Sequence, residues 1–405
     1  MPFRTAVSGL NAASADLRVT GNNIANSGTV GFKESRAEFA EVFATYQSGI
    51  NNTAIGAGVR LAGVAQQFTQ GNIDFSGKSL DLAINGDGFF VLNKSGTQIY
   101  TRSGAFQADR EGYVVDNQGH RLQVYPPGSE VRGDFDTSRF TDLQLSTSEV
   151  PPRATTEITA NLNLTAGTAP IDDDIGFDIT DPESFNFSTA VNVYDSLGQS
   201  HTATIYFRST DPNENEWETY VVVNGEVIAT EALEFDTTGQ VAEGGLISLT
   251  HNLENGSEPL AIELDLRSAT QYGGAFNVSG LRQDGFATGN LSGVDIDSNG
   301  VVFARFTNGQ SQSLGKVALA DFSNPQGLQQ LGDNVWAETF ASGQPIRGEA
   351  GAGHLGLIQS GGLEASNVDI AQQLVNLITA QRSFQANAQV ISAADTMAQT
   401  VINIR

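Results

Sequence analysis

The chain has 405 residues, 46 acidic against 21 basic, a net charge of −25 and no cysteine. That length gives room for two to four domains, and the charge argues against nucleic acid or anionic lipid as partners. Without cysteine there are no disulfides, thiolate nucleophiles or cysteine metal sites, and no apolar run is long enough for membrane insertion.

In chain order, the first predicted element covers residues 1–28. Phe3, Leu10, Leu17 and Ile24 recur every seven residues, and Ala6 and Ala13 sit three after the first two. This is a narrow apolar stripe of the kind that packs against another helix. Met1-Pro2-Phe3-Arg4 lacks the basic-then-apolar layout of a secretory signal peptide. Asn and Gly in Gly21-Asn22-Asn23-Ile24-Ala25-Asn26-Ser27-Gly28 stop the helix, because both tolerate left-handed backbone. Residues 29–70 read as a connector, in which Phe32, Phe39, Val42 and Phe43 are spaced as a short amphipathic segment.

From residue 71 the period changes to two. Gly88 to Leu92 reads as a buried strand bounded by Lys94-Ser95-Gly96, followed at hairpin spacing by Ile99–Thr101, Tyr113–Val115 and Leu122–Tyr125. Pro126-Pro127-Gly128 and Pro151-Pro152 mark a boundary near 145. In the second β set, Leu260, Ile262, Leu264 and Leu266 alternate with polar residues, giving one dry face and one wet. From about 285 the chain returns to the first β domain, with a hairpin signal at Asn308-Gly309 and a Gly-rich run, 348–362, before the tail.

The tail, 366–405, contains neither Gly nor Pro. Ile370, Leu377, Phe384 and Ile391 recur every seven residues, with Gln373, Ala380, Asn387 and Ala394 three after each. The spacing predicts a long helix opened by a capping-box-like Ser366 and Asp369. At ~1.5 Å per residue it exceeds the width of a small domain, so its stripe calls for a partner helix or other subunits. An ordinary surface helix packed on its own domain is the plainer alternative. Both ends are expected to be marginal alone and to order when subunits meet.

Three patterns could carry chemistry. Gly351-Ala352-Gly353-His354-Leu355-Gly356 matches a dinucleotide fingerprint, but no strand-like run leads in and Gln359-Ser360-Gly361-Gly362 blocks the helix the mechanism needs, so a linker is expected. Asp295 to Gly300 resembles the start of a calcium loop, yet the twelfth position is Phe306 instead of a bidentate carboxylate, so an Asp-rich turn is expected. His120, His201, His251 and His354 show no metal spacing and read as surface residues. Nothing picks out a catalytic pair, and neither enzyme activity, cofactor nor metal is expected.

The two chain ends together identify a family. Asn22-Asn23-Ile24-Ala25-Asn26 closing on Thr29-Val30-Gly31-Phe32-Lys33 resembles the N-terminal signature of the bacterial flagellar rod and hook proteins. Asn367, Asp369, Leu374-Val375-Asn376 and Ala380-Gln381-Arg382-Ser383-Phe384 resemble its C-terminal signature. Gln372-Gln373 departs from it, since relatives often carry an acidic residue there. Family motif residues are thus Asn22, Asn23, Asn26, Gly31, Phe32, Lys33, Asn367, Asp369, Gln381 and Arg382; the assembly seam is Phe3, Leu10, Leu17, Ile24, Ile370, Leu377, Phe384 and Ile391.

The expected fold is multidomain α+β, with N- and C-terminal helices paired as a coiled coil and two nested mainly-β domains, one discontinuous and one inserted. Expected boundaries are 1–28 with 364–405 for the axial helical core, 29–70 for the connector, 71–145 with 285–363 for the discontinuous domain, and 146–284 for the inserted outer domain. The resemblance implies a non-enzymatic subunit of a helical homopolymer at the flagellar hook or basal body. It further implies export by the flagellar type III apparatus without a cleaved signal, and rod, hook-cap and hook–filament junction proteins as partners. The size of the insert favours a hook-type subunit, a flexible universal joint transmitting torque, over a distal rod protein. A secreted β-rich adhesin or enzyme is the reading from another class.

Overall fold

The computed structural model describes residues 2–42, 56–128, 134–145, 149–172, 174–211 and 215–403. The chain is multidomain α+β and falls into two compact units.

The first unit comprises Met1–Leu145, Gly293–Ala304 and Gln312–Arg405. It opens with helix α1 (Pro2–Ala25) and ends with helix α2 (Ile370–Asn403), and the two pack together. Strands β1 (Ser35–Glu41) and β2 (Val59–Gln66) form an antiparallel hairpin with a bulge between Glu38 and Phe39. The amphipathic segment around Phe39 is therefore a strand, and Phe43 lies outside the described residues. The chain ends then knit together. Strand β3 (Ile73–Phe75) pairs with Gly362–Glu364, and β4 (Leu82–Asn85) pairs with Leu357–Ser360. Segments nearly 300 residues apart in sequence thus share ladders, and residues 357–364 deliver the chain to α2 beside the segment that follows β2.

Strands β5 (Phe89–Lys94) and β6 (Thr97–Thr101) make a tight hairpin, with Ser95 and Gly96 both at positive φ, at 50° and 92°. A two-residue turn between twisted strands needs that backbone. Phe90 and Leu92 enter one core with Leu82, Leu122, Val317 and Leu319; Phe89 and Val91 enter a second, with Tyr100, Phe322 and Trp336. Covered on both faces, this strand reads as an unbroken apolar run instead of alternating. The Asn308-Gly309 turn forms, with Gly309 at φ 80°, between Val301–Phe306 and Ser311–Asp321.

The second unit comprises Ser146–Ser292 with Arg305–Ser311. One five-stranded sheet is an antiparallel meander from Phe187–Tyr194 to Val241–Glu243. The other is built around Glu157–Thr165, which pairs with Leu260–Asp265, Thr270–Tyr272 and Asn277–Gln283. Both contribute to a single core: Ile158, Leu162 and Leu164 from the second meet Ile205, Phe207 and Trp217 from the first. Leu260, Ile262 and Leu264 are buried and the residues between them are not, as their alternation requires.

Asp284 secures the entry into this sandwich. Its carboxylate accepts the Thr156 and Glu157 N–H groups at 2.8 and 3.0 Å and the Thr156 hydroxyl at 2.7 Å, and pairs with Arg153 at 3.0 Å. Burial pushes the carboxyl up, but these donors outweigh it and hold it below the ordinary carboxylate value of 3.8. A depressed folded-state pKa stabilises the fold above the unfolded value, and the contribution disappears as pH falls through the folded one. Asp284→Ala should therefore cost about 2–3 kcal/mol at neutral pH. In urea titrations, the gap between variant and parent should begin to narrow as the pH drops below about 3.8 and go on narrowing through the lower folded-state value.

Candidate assembly site at the paired chain ends

Two contacts fix the helix pairing. Gly9 lies against Asn387, and Asn23 donates to Gln373 Oε1 at 3.3 Å. Fourteen residues forward along α1 correspond to fourteen backward along α2, so the pair is antiparallel. A Cβ on Gly9 would sit 2.5 Å from Asn387 Oδ1, so the helices approach closely there. The most buried positions are small or polar: Ala6, Ala13, Ala15, Thr20 and Asn23 on α1, Gln373 and Ala380 on α2. On α2, Gln373, Leu377, Ala380, Phe384, Asn387, Ile391 and Ala394 follow an alternating four–three spacing, the phase of a coiled-coil seam.

Of the predicted seam residues, Leu10, Leu17, Ile24, Leu377, Phe384 and Ile391 are half-buried, whereas Phe3 and Ile370 are exposed. Leu374, Val375, Ile378, Val390 and Met397 are also exposed, Met397 to 68%. One molecule's α1 thus leaves much of the apolar surface of α2 uncovered. By the same correspondence, α2 runs on past the start of α1 by about nine residues, roughly 13 Å.

Asp369 alone caps α2. Its carboxylate accepts the Ala371 and Gln372 N–H groups at 2.8 and 3.2 Å. Ser366 serves the Val368 N–H instead, before the helix begins, so the expected two-residue capping box is replaced by a single Asp cap.

Beneath the helix pair lies a buried polar clamp built largely from the motif residues. The Lys33 ammonium meets Glu364 Oε1 at 2.7 Å and donates to the Thr69 carbonyl at 2.7 Å. Both side chains are 0% exposed. Arg102 reaches Glu364 Oε2 at 3.4 Å, donates to the Gly86 carbonyl at 2.9 Å and lies over the Phe89 ring. The Gly71 N–H also donates to Glu364 Oε1, at 2.9 Å. Burial pulls the Lys33 pKa down and the Glu364 charge pulls it back up, while Arg102 adds to the lowering.

Gly31 donates its N–H to the Glu364 carbonyl at 2.8 Å with φ at 69°. A Cβ there would strike the Ser103 nitrogen at 2.6 Å, so glycine is required for both space and conformation. Phe32 beside it is buried.

Two of the motif asparagines, Asn23 and Asn367, act as splints. Asn23 closes a two-bond ring on the Ser35 backbone, accepting at 2.9 Å and donating at 2.8 Å. Asn367 accepts the Glu34 N–H at 2.7 Å and donates to Gln67 and Thr69. Gln373 donates to Glu34 Oε1 at 2.7 Å. A neutral amide fits here, because an acid would face the Glu34 carboxylate. Asn26 bonds back to the Asn22 carbonyl at 2.9 Å and helps close α1. Asn22, Gln381 and Arg382 are exposed and lie outside the clamp.

Sequence reasoning found Lys33 and Asn367 but not Glu364 or Arg102. Glu364 carries a faint signal, being the sole acid between Glu349 and Asp369. Arg102 carries none, since it only meets Glu364 through folding.

The other candidates resolve locally. A strand, Ile346–Glu349, does precede the Gly351–Gly356 pattern, contrary to expectation, but another strand follows it, so there is no helix N-terminus to hold a phosphate. Asp297 Oδ1 accepts the Asn299 and Val301 N–H groups and so closes the expected turn. His120 and His354 pair with Asp116 and Asp321. His201 is buried, against expectation, and held between Asp195 and Asn224.

These features define a flagellar axial protein. Residues 3–33 match the family described as "Flagella basal body rod protein", and residues 359–404 match "Flagellar basal body rod FlgEFG protein C-terminal". Residues 83–164 match "Flagellar hook protein FlgE/F/G D1 domain", and 161–286 match "Flagellar basal body protein FlaE D2 domain". The flagellar hook protein FlgE of Salmonella typhimurium is 38% identical over 413 residues, covering 100% of both chains. That of Escherichia coli K12 is 37% identical over 412 residues with the same coverage. That of Borreliella burgdorferi is 30% identical, covering 99% of this chain and 98% of the relative. The chain belongs to the flagellar hook protein FlgE family. Its fold resembles the crystal structure of Helicobacter pylori flagellar hook protein FlgE2, with a TM-score of 0.55 at 16% identity, over 72% of this chain and 100% of that one.

Replacing Glu364 by Gln should leave Lys33 buried without its partner carboxylate and Arg102 with only Asp87 and Asp321 as nearby counter-charges. A loss of about 3–5 kcal/mol is expected, read as a lower denaturation midpoint of the first unit. Gln373→Glu, which sets a carboxylate against Glu34, should destabilise in the same direction, and acidification should relieve it by protonating the pair.

Proposed function

We propose that the chain is the structural subunit of the flagellar hook, a curved helical homopolymer that acts as a universal joint and passes torque from rod to filament. Full-length identity to hook proteins supports this assignment. The observation that carries the mechanism is the apolar surface of α2 left bare beside α1. Such a surface, at the end of every identical subunit, is covered by sister subunits at ~25 cal/mol per Å² of apolar area.

In this reading Phe3, Leu10, Leu17, Ile24, Ile370, Leu377, Phe384 and Ile391 serve assembly, and the motif residues hold the helix pair at a set angle on the β domain. Strong helix contacts give torsional stiffness, whereas contacts between acidic, polar β surfaces are worth little per ion pair and allow neighbours to slide. The subunit travels unfolded through the type III apparatus without a cleaved signal, and absent cysteine avoids cross-links on the way. Rod, hook-cap and hook–filament junction proteins meet it at the ends of the polymer.

Deleting residues 2–25 or 370–403 should give a soluble, β-rich monomer that forms no tubes by electron microscopy. Curved tubes from either truncation would overturn the assembly role of the ends. Proton NMR of the intact monomer should show the terminal segments sharper and less protected than the β core, with protection arising on polymerisation.

A further inference from the structure

The described residues include the Asn-Gly pairs Asn85-Gly86, Asn224-Gly225, Asn255-Gly256, Asn299-Gly300 and Asn308-Gly309. Asparagine is thermolabile, and a glycine after it puts no side chain in the way of its own backbone nitrogen. Most of these pairs are tied down. Gly86 donates its N–H to Gln70 Oε1 at 3.1 Å, Gly300 to the Asp297 carbonyl at 3.0 Å and Gly309 to the Phe306 carbonyl at 3.0 Å. Asn224 and Gly225 fill a tight hairpin turn, with φ at 51° and 87°. At Asn255-Gly256 both residues are exposed, and the glycine N–H has no acceptor among the described residues.

The Asn255 side chain is also surrounded by the groups that an acyl transfer needs. The loop between Leu246–His251 and Leu260–Asp265 brings it to the turn at Asp195. The Ser257 N–H donates to its Oδ1 at 3.0 Å, where negative charge builds when the amide carbon is attacked. Its Nδ2 donates to Asp195 Oδ2 at 2.6 Å and to Gln199 Oε1 at 3.2 Å. That nitrogen becomes cationic as it leaves, and a carboxylate beside it stabilises the charge. Asp195 is fully buried. Burial pushes its carboxyl up, but the Gln199 N–H, Asn255, His201 and the Leu197 N–H outweigh this and hold it below the ordinary value, so it is ionised at neutral pH.

We propose that Asn255-Gly256 is a self-modification site, at which the asparagine converts to aspartate and isoaspartate without an enzyme. The Gly256 nitrogen gives its proton to solvent and bonds to Asn255 Cγ. The Cγ–Nδ2 bond breaks, ammonia leaves and a cyclic imide remains. Water then adds to either imide carbonyl and reopens the ring, so the main chain continues through the α-carbonyl or through the side chain. One amide and one water are consumed, and one carboxyl and one ammonia are produced. The new carboxylate lies against that of Asp195, and like charges this close oppose each other. The conversion thus removes a tie between the two sheets of the second unit.

Peptide mass spectrometry of the full-length chain, warmed at neutral pH and probed with an isoaspartate-specific methyltransferase, tests this. Asn255 should gain acid about fivefold faster than Asn299 or Asn308, whose glycine nitrogens must first give up a turn hydrogen bond. Gly256→Ala, which crowds the attacking nitrogen, should slow the conversion, and Asn255→Gln should stop it on that timescale. The folded chain should convert Asn255 at least as fast as the chain in urea, whereas the other pairs should speed up on unfolding. Conversion of Asn255 no faster than of Asn299 and Asn308, or faster in urea than in the fold, would overturn the proposal. Asn255→Asp should also melt the second unit at a lower temperature than Asn255→Gln, and equal midpoints would rule out the loss of the tie between sheets.

Discussion

A carboxylate with no access to water sits where three stretches of chain converge. Glu364 closes the last short strand before α2, Lys33 follows the end of α1, and Arg102 follows β6. Taking these charges out of water is expensive, and only the mutual pairing, with the Gly71 and Thr69 backbone groups, makes the arrangement tolerable. Removing one member leaves a buried charge short of its partner, which disfavours arrangements of the junction that separate them. A greasy joint of similar area would tolerate several. That specificity suits a place where the direction of a helix pair must be fixed relative to the β domain.

The clamp explains why the family motifs contain the residues they do. Gly31 lets the backbone pass within contact of Ser103. Asn23 and Asn367 use side-chain amides as substitute backbone, each offering both a donor and an acceptor to strand segments that would otherwise end unpaired. Gln66 and Phe68 then tie the open end of the hairpin, where Ser35 faces Gln66, to Trp336 through a 2.6 Å hydrogen bond and an edge-to-face ring contact. An unbroken chain of packed groups therefore runs from the helices into the second aromatic core. The helices themselves are the opposite case: small residues in the middle, large apolar ones left at the margins. Inside the junction the charges are paired and, of the buried side-chain polar atoms among the described residues, Arg102 Nε and Gln67 Nε2 stand without an acceptor, whereas along α2 much apolar surface is bare. The first is the signature of a rigid mount, the second of a surface meant for company.

Much of this was legible in the sequence. The heptad spacing of Leu377, Phe384 and Ile391 marked the long helix, Asn308-Gly309 marked a hairpin, and the alternation from Leu260 to Leu264 marked a half-buried strand. Each is a local rule, set by the 3.6- or two-residue period of the backbone itself. What the spacing missed is of another kind. The pattern around Phe39 names no element type; the segment is a strand because β2 lies beside it, and a seven-residue window has no knowledge of that neighbour. His201 is buried because Asp195 and Asn224, brought by other turns, satisfy both ring nitrogens.

By itself the sequence determined the helix ends, the strand periods and the two terminal signatures, and with them the family, because these depend on residues within a few positions of one another. Only the tertiary structure decided that Glu364 and Arg102 complete the motif around Lys33, and that the Asn255 amide meets the buried Asp195 carboxylate. Those outcomes turn on groups separated by up to some 330 positions along the chain and on the exclusion of water from between them. Spacing along a chain carries no record of either.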